Sequence, residues 1–226
     1  MSYLLFNVSE KLYLRDPQKS AVGQAIIRHS VALIDRDGFD NITFKKLAEA
    51  IDSTEATIYR YFENKFRLLQ YLIVWHWTSV NFEIDYHVNN IAAPQDKLKI
   101  CLQVLAGMRK PFNATIIDQQ ALNRVVIAEF DKFYLSKTID RDYEEGLLDP
   151  FNETCQRIAA LVKQINPKYP FPHSLISTAI NAARHQVYFS KHLPQLCDIK
   201  NDERTLHDRL YKFLEGFVLT TIKAAA

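Results

Sequence analysis

The chain has 226 residues, 48% of them hydrophobic, with 5 glycines and 8 prolines, a composition typical of a helix-rich globular protein. Its formal net charge of +2 excludes a generally basic protein that coats nucleic acid, so any DNA-binding surface depends on where individual charges lie. The longest strongly apolar run, LLQYLIVWHW, is far shorter than the ~20 residues of a membrane-spanning helix. Three widely spaced cysteines and an N-terminus unlike a secretory leader predict reduced thiols in a cytoplasmic protein.

The first strong helical pattern occupies residues 22–34, where apolar side chains recur every three or four positions. Gly38 follows it and can adopt the positive φ at which helices commonly end. Two short helical patterns come next, each preceded by a hydroxyl residue that can cap a helix, Thr43 for the first and Thr54 for the second. Asp52 lies in the break between them, and aspartate is one of the few residue types besides glycine that tolerate positive φ.

Asn64 is the predicted cap of a long fourth helix, which continues to about Tyr86. Only the segment KLYLR alternates weakly, as a strand would. The sequence therefore predicts an all-α protein of about nine helices, with an N-terminal extension (1–18), a three-helix head (19–65) and a larger helical body (66–226). The five further helical patterns in the body lie at residues 94–110, 114–135, 150–165, 172–190 and 206–221.

The N-terminal extension carries more large apolar side chains than a solvated tail would. Burying about four or five of them, at ~1.5–3 kcal/mol each, would offset the cost of ordering a short arm. We therefore expect the extension to pack on the head or on another subunit. In that arrangement Lys11, Arg15 and Lys19 would lie near the DNA backbone.

Two short helices separated by about three residues predict a helix-turn-helix, the unit that places its second helix in the DNA major groove. Short side chains at the start of that helix would let its backbone approach the bases, while longer donors beyond them would bind phosphates. We expect Glu55 and Thr57 to contact base edges, and Tyr59, Arg60 and Tyr61 to project outward. The full set expected to contact DNA is Thr43, Lys45, Thr54, Glu55, Ala56, Thr57, Tyr59, Arg60, Tyr61 and Lys65.

An alternative for this stretch is a packed aromatic helix end, YRYF, with a solvated arginine. Cationic and acidic residues are equally numerous in residues 1–65, so a single head would bind DNA only modestly. Useful affinity would require two heads.

The same stretch resembles the N-terminal DNA-binding domain of TetR-family transcriptional regulators, over roughly residues 22–69. The resemblance implies a homodimer that binds double-stranded DNA at an inverted-repeat operator and carries its inducer site in the body. Asp52 and Ala56 depart from the pattern, because the family commonly has glycine at both positions. The matching residues are Gly38, Phe39, Thr43, Leu47, Ala48, Thr54, Thr57, Ile58, Tyr59, Tyr61, Phe62, Asn64, Lys65 and Leu68.

The inducer implied by the resemblance would bind between helices of the body that include the long fourth helix. Aromatic and polar side chains near apolar stretches are the candidates, although a body of this size also needs many aromatic residues for its core. The residues predicted to bind this unknown small molecule are Trp75, His76, Phe82, Tyr86, Met108, Phe112, Gln119, Asn123 and His185.

The last two helices would form half of an intersubunit four-helix bundle, as the resemblance implies. Each carries one stripe of apolar or small residues, and the alternative is that both stripes only cover the body. The predicted dimerisation residues are Ala179, Ala183, Leu206, Leu210, Phe213 and Phe217.

No spacing of histidines or cysteines suits a metal ion, and no nucleotide-binding or hydrolase motif is present, so we expect no metal, no cofactor and no enzymatic activity. The leading prediction is a homodimeric repressor that a small molecule releases from DNA. One alternative is a DNA-binding regulator that a protein partner controls without a chemical inducer. Another is an all-α ligand carrier or enzyme with a vestigial helix-turn-helix.

Overall fold

The structure, a computed structural model, describes residues 5–109 and 116–224, and every regular element in these two ranges is helical. The predicted all-α fold class is therefore confirmed. The described residues form ten α-helices where about nine were predicted, because the six-residue α7 is too short to show a helical period. The helices are α1 (Ala21–Asp37), α2 (Phe44–Ala50), α3 (Glu55–Tyr59), α4 (Lys65–Val88), α5 (Pro94–Leu105), α6 (Gln119–Tyr134), α7 (Ile139–Glu144), α8 (Asp149–Ile165), α9 (Pro172–His192) and α10 (Leu206–Ala224).

Two local predictions differ from the structure. α5 ends at Leu105 rather than at Lys110, because Gly107 follows with φ +70°, a conformation that stops a helix. The segment KLYLR, residues 11–15, begins within a 3-10 turn, Glu10–Leu12, and forms no strand. The start predicted for the sixth helix and the candidate ligand residue Phe112 lie outside the described residues.

The chain divides into two units. The first unit comprises residues 1–79 and 111–150, and the second unit comprises residues 80–110 and 151–226. All the candidate DNA-binding residues belong to the first unit. The predicted limits of the head, at residues 19 and 65, concern a finer division and remain a prediction.

In the first unit, α1 begins where the Ser20 hydroxyl accepts a hydrogen bond from the Gly23 amide at 3.1 Å. Gly23 lies directly against the preceding turn, because a Cβ at this position would overlap the Pro17 carbonyl. Gly38 ends the helix with φ +80°, the positive value that was predicted. The apolar face of α1 is buried at Ile26, Ile27, Val31 and Ile34.

The N-terminal segment, residues 5–18, packs on the first unit, which confirms the prediction that it is no solvated tail. Phe6, Val8 and Leu12 are buried. The Gln18 side chain accepts a hydrogen bond from the Phe6 amide at 3.1 Å and donates one to the Phe6 carbonyl at 2.7 Å. The Phe6 ring meets the Trp75 ring edge-on, with 5.3 Å between centroids.

In the second unit, polar side chains join the end of α4 to α8. The Thr154 hydroxyl donates to the side-chain oxygen of Asn81 at 2.7 Å, and the Arg157 guanidinium donates to the Asp85 carboxylate at 2.5 Å. α9 and α10 pack against each other and bury the small-residue face of α9. This packing decides which face of α10 remains at the surface.

Candidate nucleic-acid interface

The helix-turn-helix consists of α2 and α3, and both helices are capped as predicted. The Thr43 hydroxyl accepts a hydrogen bond from the Lys46 amide at 3.2 Å, and the Thr54 hydroxyl accepts one from the Thr57 amide at 3.3 Å. Between the helices, Asp52 adopts φ +51°, the positive value that its position predicted. The side chains predicted to face inward are buried, namely Phe44, Leu47, Ala48, Ile58 and Phe62.

The outer face of α3 is open to solvent from its first turn. Residues 54–56 are exposed and Thr57 is half-buried. Tyr59 is 50% exposed, with its ring edge-on to that of Phe44 at 4.9 Å between centroids, and Arg60 is exposed. Short side chains therefore precede longer hydrogen-bond donors along this surface. The candidates at the start of α2 that are also exposed are Thr43 and Lys45.

Tyr61 does not project outward, so that prediction is wrong. Its side chain is 3% exposed, and its hydroxyl lies 2.8 Å from the Ser20 hydroxyl at the start of α1. α3 ends at Tyr59, so the chain has already turned by residue 61 and directs the ring toward α1. The outer surface of the second helix therefore ends at Arg60.

The Lys65 ammonium faces the loop that precedes α2. It donates to the carbonyls of Phe39, Asp40 and Ile42 at 3.4, 3.1 and 3.3 Å, and it lies 4.9 Å from the centroid of the Phe39 ring. Three carbonyls account for the three N–H donors of an ammonium group. The contact of Lys65 with a DNA phosphate remains a prediction. Within the protein, Lys65 also holds the turn that leads into the helix-turn-helix.

Comparison with known proteins decides which kind of helix-turn-helix this is. Residues 26–72 match a family model described as bacterial regulatory proteins, tetR family. This stretch is a TetR-family DNA-binding domain. None of the curated protein sequences matches the chain significantly.

Solved structures resemble the chain well beyond the TetR domain. The fatty acid degradation regulator FadR from Bacillus halodurans is 18% identical, with a TM-score of 0.63 over 87% of this chain and 95% of that one. A putative transcriptional regulator from Saccharomonospora viridis, in complex with choline, is 17% identical, with a TM-score of 0.63 over 88% and 96%. AibR, in complex with isovaleryl coenzyme A and operator DNA, is 15% identical, with a TM-score of 0.56 over 85% and 95%. The shared fold and the domain match together support DNA-binding regulation.

α6 contacts the TetR domain at the turn before α2, within the first unit. The buried Glu129 carboxylate accepts a hydrogen bond from the Phe39 amide at 3.1 Å. The Lys132 ammonium lies 2.7 Å from a carboxylate oxygen of Asp40 and 3.5 Å from one of Glu129. The hydrogen bond from Lys132 lowers the pKa of Asp40. Sequence analysis missed these residues, because roughly 90 positions separate the partners and no local pattern marks them.

Four of the predicted ligand-binding residues that the structure describes belong to the first unit. Trp75 is buried beneath the N-terminal segment and packs against Phe6, so it occupies a core position, as the alternative proposed. His76 is half-buried, and burial lowers the pKa of its ring to about 4. The Ser79 hydroxyl donates to the backbone carbonyl of His76 at 2.7 Å, and the side-chain oxygen of Gln119, at the start of α6, lies 3.5 Å from the same hydroxyl. Asn123, the last of the described ligand candidates in this unit, is half-buried.

The remaining described candidates belong to the second unit. The side chains of Phe82, Tyr86 and Met108 are exposed in the single chain, and the His185 ring stacks on that of Phe189 at 5.7 Å. The sequence analysis did not single out Glu83, whose pKa burial raises to about 7. The sequence could have indicated this buried carboxyl, because Glu83 is the first acidic residue of α4 and follows a long stretch without charged side chains.

Four of the six predicted dimerisation residues are buried in the core of the second unit. Ala179, Ala183, Leu206 and Leu210 are buried within the chain, which corrects the prediction that they face another subunit. Phe213, which is 39% exposed, and the half-buried Phe217 lie on a neighbouring face, with nearly parallel rings 6.2 Å apart. A Cβ at Gly216, between them, would meet no atom within 4 Å. The buried face of α10 advances in steps of four through Leu206, Leu210, Leu214, Val218 and Ile222.

Over residues 5–109 and 116–224, no helix is both long enough and apolar enough to cross a membrane. The described side chains also include no group of three or more His, Cys, Asp or Glu residues that could hold a metal ion.

Proposed function

We propose that the protein is a sequence-specific transcriptional regulator that binds an inverted-repeat operator as a homodimer and represses until a small molecule releases it. The observation that carries the proposal is the exposed start of α3 in a TetR domain, where short side chains precede Tyr59 and Arg60. This order lets the helix backbone approach the base edges while the longer side chains reach phosphates. Thr43 and Lys45, at the start of α2, would add backbone contacts on the same side.

Glu55 and Thr57 are the proposed base contacts. A glutamate can accept a hydrogen bond from the cytosine N4 amino group, and a threonine methyl can pack on the thymine methyl, each giving ~1–3 kcal/mol of discrimination. The Thr57 hydroxyl lies 3.1 Å from the Thr54 hydroxyl. Because that contact occupies the hydroxyl within the protein, it supports a methyl contact for Thr57.

Two heads are required because cationic and acidic residues are balanced over residues 1–65, and affinity for DNA rises with the number of phosphates neutralised. The face of α10 that carries Phe213, Gly216 and Phe217 supports a homodimer formed through this helix. The exposed Phe213 and the half-buried Phe217 would both gain from further burial. A glycine with open space above it lets a second helix approach closely.

The start of α6 supports a small-molecule site in the first unit. The Ser79 hydroxyl, in a largely apolar part of α4, lies 3.5 Å from the side-chain oxygen of Gln119 on α6, and the half-buried His76 precedes Ser79 by three residues. Glu129, which bonds the turn before the helix-turn-helix, lies about 15 Å further along the same helix as Gln119. A ligand that displaced the start of α6 would therefore act on the TetR domain through one continuous element. The complexes of AibR and the Saccharomonospora viridis regulator with small molecules add support for a ligand-responsive regulator.

Selection of bound sequences from random DNA by the purified protein tests DNA recognition. We expect an inverted repeat to be enriched. Glu55→Ala should relax the preference at one position of each half-site, whereas Tyr59→Phe should weaken binding to all sequences alike. A pool in which no sequence is enriched would contradict the proposal.

The inducer is tested on the operator obtained in that selection. A metabolite library that includes coenzyme A thioesters and quaternary amines is screened for compounds that dissociate the protein from the operator. Such a compound should lose its effect on the Gln119→Ala variant and keep it on Gln156→Ala, a control at an exposed position of α8. Operator binding that no compound relieves would favour a regulator without a chemical inducer.

A further inference from the structure

The N-terminal segment ends beside the second helix of the helix-turn-helix. The Leu14 amide donates to the Tyr61 carbonyl at 2.8 Å, and the guanidinium carbon of Arg15 lies 5.4 Å from the centroid of the Tyr61 ring. Tyr61 comes two positions after Tyr59, the last residue of α3. An exposed cation from outside the helix-turn-helix is thereby placed at the C-terminal end of α3.

The position of Arg15 is fixed from both sides along the chain. Before it, the Tyr13 ring packs edge-on against the Tyr71 ring at 6.1 Å between centroids. After it, the Asp16 side chain caps the turn that leads into α1. The cation–π contact with Tyr61 already restrains the guanidinium, so less side-chain freedom is lost when Arg15 forms a further bond.

Arg15 also differs from nearby cations in its partners. Lys19 pairs with Asp16 at 3.2 Å, and the Lys65 ammonium donates to three backbone carbonyls. Arg15 is exposed and has no carboxylate partner among the residues that the structure describes. Its guanidinium would therefore exchange only water when it meets an anion, whereas the other two cations would have to give up existing bonds.

We propose that Arg15 is a phosphate-binding residue of the DNA interface, contributed by the N-terminal segment rather than by the helix-turn-helix. The inference rests on the proposed function, in which α3 enters the major groove. That groove is about 12 Å wide, and the five residues of α3 span only about 7.5 Å. A cation just beyond the helix end therefore meets the sugar-phosphate backbone at the groove border, where a guanidinium can bind two phosphate oxygens at once.

The experiment compares Arg15→Gln with Lys19→Gln, which removes the same charge from the same part of the chain. Fluorescence anisotropy measures the affinity for the selected operator at several salt concentrations between about 50 and 200 mM. Arg15→Gln should weaken binding about tenfold and should reduce the slope of log K against log salt by about 0.9 for each head on the DNA. The sequence enriched from random DNA should stay the same. Lys19→Gln should lower affinity and slope less than Arg15→Gln does, because the Lys19 ammonium already pairs with Asp16.

Wild-type affinity and slope in Arg15→Gln would overturn the proposal. An altered sequence preference with an unchanged slope would also overturn it, because it would show a base contact. The conservative Arg15→Lys variant separates charge from folding: a restored salt slope supports the phosphate contact, and a slope as low as that of Arg15→Gln opposes it. Failure of the wild-type protein to bind any DNA would overturn the proposed function itself.

Discussion

The Glu129 carboxylate on α6 accepts a hydrogen bond of 3.1 Å from the backbone amide of Phe39, a residue 90 positions earlier in the chain. This bond satisfies a buried amide in the turn between α1 and α2, and Lys132 pairs with the same carboxylate from one turn further along α6. The turn that leads into the helix-turn-helix is thus bonded from α6 on one side and from Lys65 of α4 on the other. The Glu129 bond ties the TetR domain to a helix that follows it in the sequence, and the Lys65 bonds tie the turn to the start of α4 within the domain.

Glu129→Ala should lower the free energy of unfolding by ~1–3 kcal/mol, because it leaves the Phe39 amide buried without an acceptor. Glu129→Gln keeps a carbonyl oxygen for that amide and should cost less. Arg124→Ala is the control, since it removes a partly exposed pair with Asp35 and should cost at most about 1 kcal/mol. Urea unfolding measures all three. Equal midpoints for Glu129→Ala and Arg124→Ala would contradict the structural role of Glu129.

Lys65→Ala should lower both stability and operator affinity. The ammonium bonds three carbonyls, and hydrogen bonds to charged groups contribute ~1.5–3 kcal/mol. Tyr59→Phe is the matched comparison, because it keeps the ring that packs on Phe44 and removes only a hydroxyl proposed to reach phosphate. It should weaken operator binding while the melting temperature stays at the wild-type value. A Lys65→Ala protein of wild-type stability would show that the three carbonyl contacts contribute nothing.

Asp52 occupies the turn of the helix-turn-helix with φ +51°, a value that costs β-branched residues most. Asp52→Val should therefore lower the free energy of unfolding by ~1–2 kcal/mol. Asp52→Gly removes the backbone strain and should be at least as stable as the wild type, because the gain offsets the added freedom of the unfolded chain. Thermal unfolding of both variants checks the order. A valine variant as stable as the glycine variant would refute this account of the turn.

The exposed face of α10 predicts where a dimer can be broken without unfolding the chain. Phe217→Glu should convert a homodimer to monomers in sedimentation velocity, with helical content unchanged, because a charge replaces half-buried apolar surface. Gly216→Ala should favour the isolated helix by up to about 1 kcal/mol yet weaken a closely packed dimer. Tyr143→Glu on α7, at another exposed aromatic residue, is the control. Dimers that survive both α10 changes would place the interface elsewhere.

The buried carboxyl of Glu83 should make the folded protein less stable as pH rises. Burial raises the pKa of its carboxyl from 4.5 to about 7, so between these values the folded state binds a proton that the unfolded state does not. The free energy of unfolding should therefore decrease from about pH 4.5 to about pH 7 and then level off. Glu83→Gln lacks this dependence. The melting temperature of the variant, relative to that of the wild type, should therefore rise between pH 4.5 and about pH 7.

His76 supplies a control of opposite sign for the pH experiment. Burial lowers its pKa from 6.5 to about 4, so stability is lost as pH falls through that window. Relative to the wild type, the melting temperature of His76→Gln should rise as the pH is lowered, whereas that of Glu83→Gln should rise as the pH approaches neutrality. Differences that do not change with pH would contradict burial as the cause of the two shifts.

Local features of the DNA-binding domain were predictable from the sequence. The caps at Thr43, Thr54 and Asn64 and the positive φ of Gly38 and Asp52 each depend on residues within about four positions of one another. Such features are encoded by residue type and spacing alone, because the groups that interact are already neighbours along the chain. The helix-turn-helix, its inward face and its family resemblance followed from them.

The partners of those elements were decided by the tertiary structure. Periodicity shows which face of a helix is apolar but not what covers it, so Leu210 was predicted for a subunit interface and is buried inside the chain. Tyr61 turns inward because α3 stops after five residues, and Ser20 is in place to meet its hydroxyl. The hydrogen bond from the Phe39 amide to Glu129 and the cation–π contact of Arg15 with Tyr61 join residues far apart in sequence. Such pairs form only once the packing of several helices has brought them within hydrogen-bonding distance or van der Waals contact, and no local pattern carries that information.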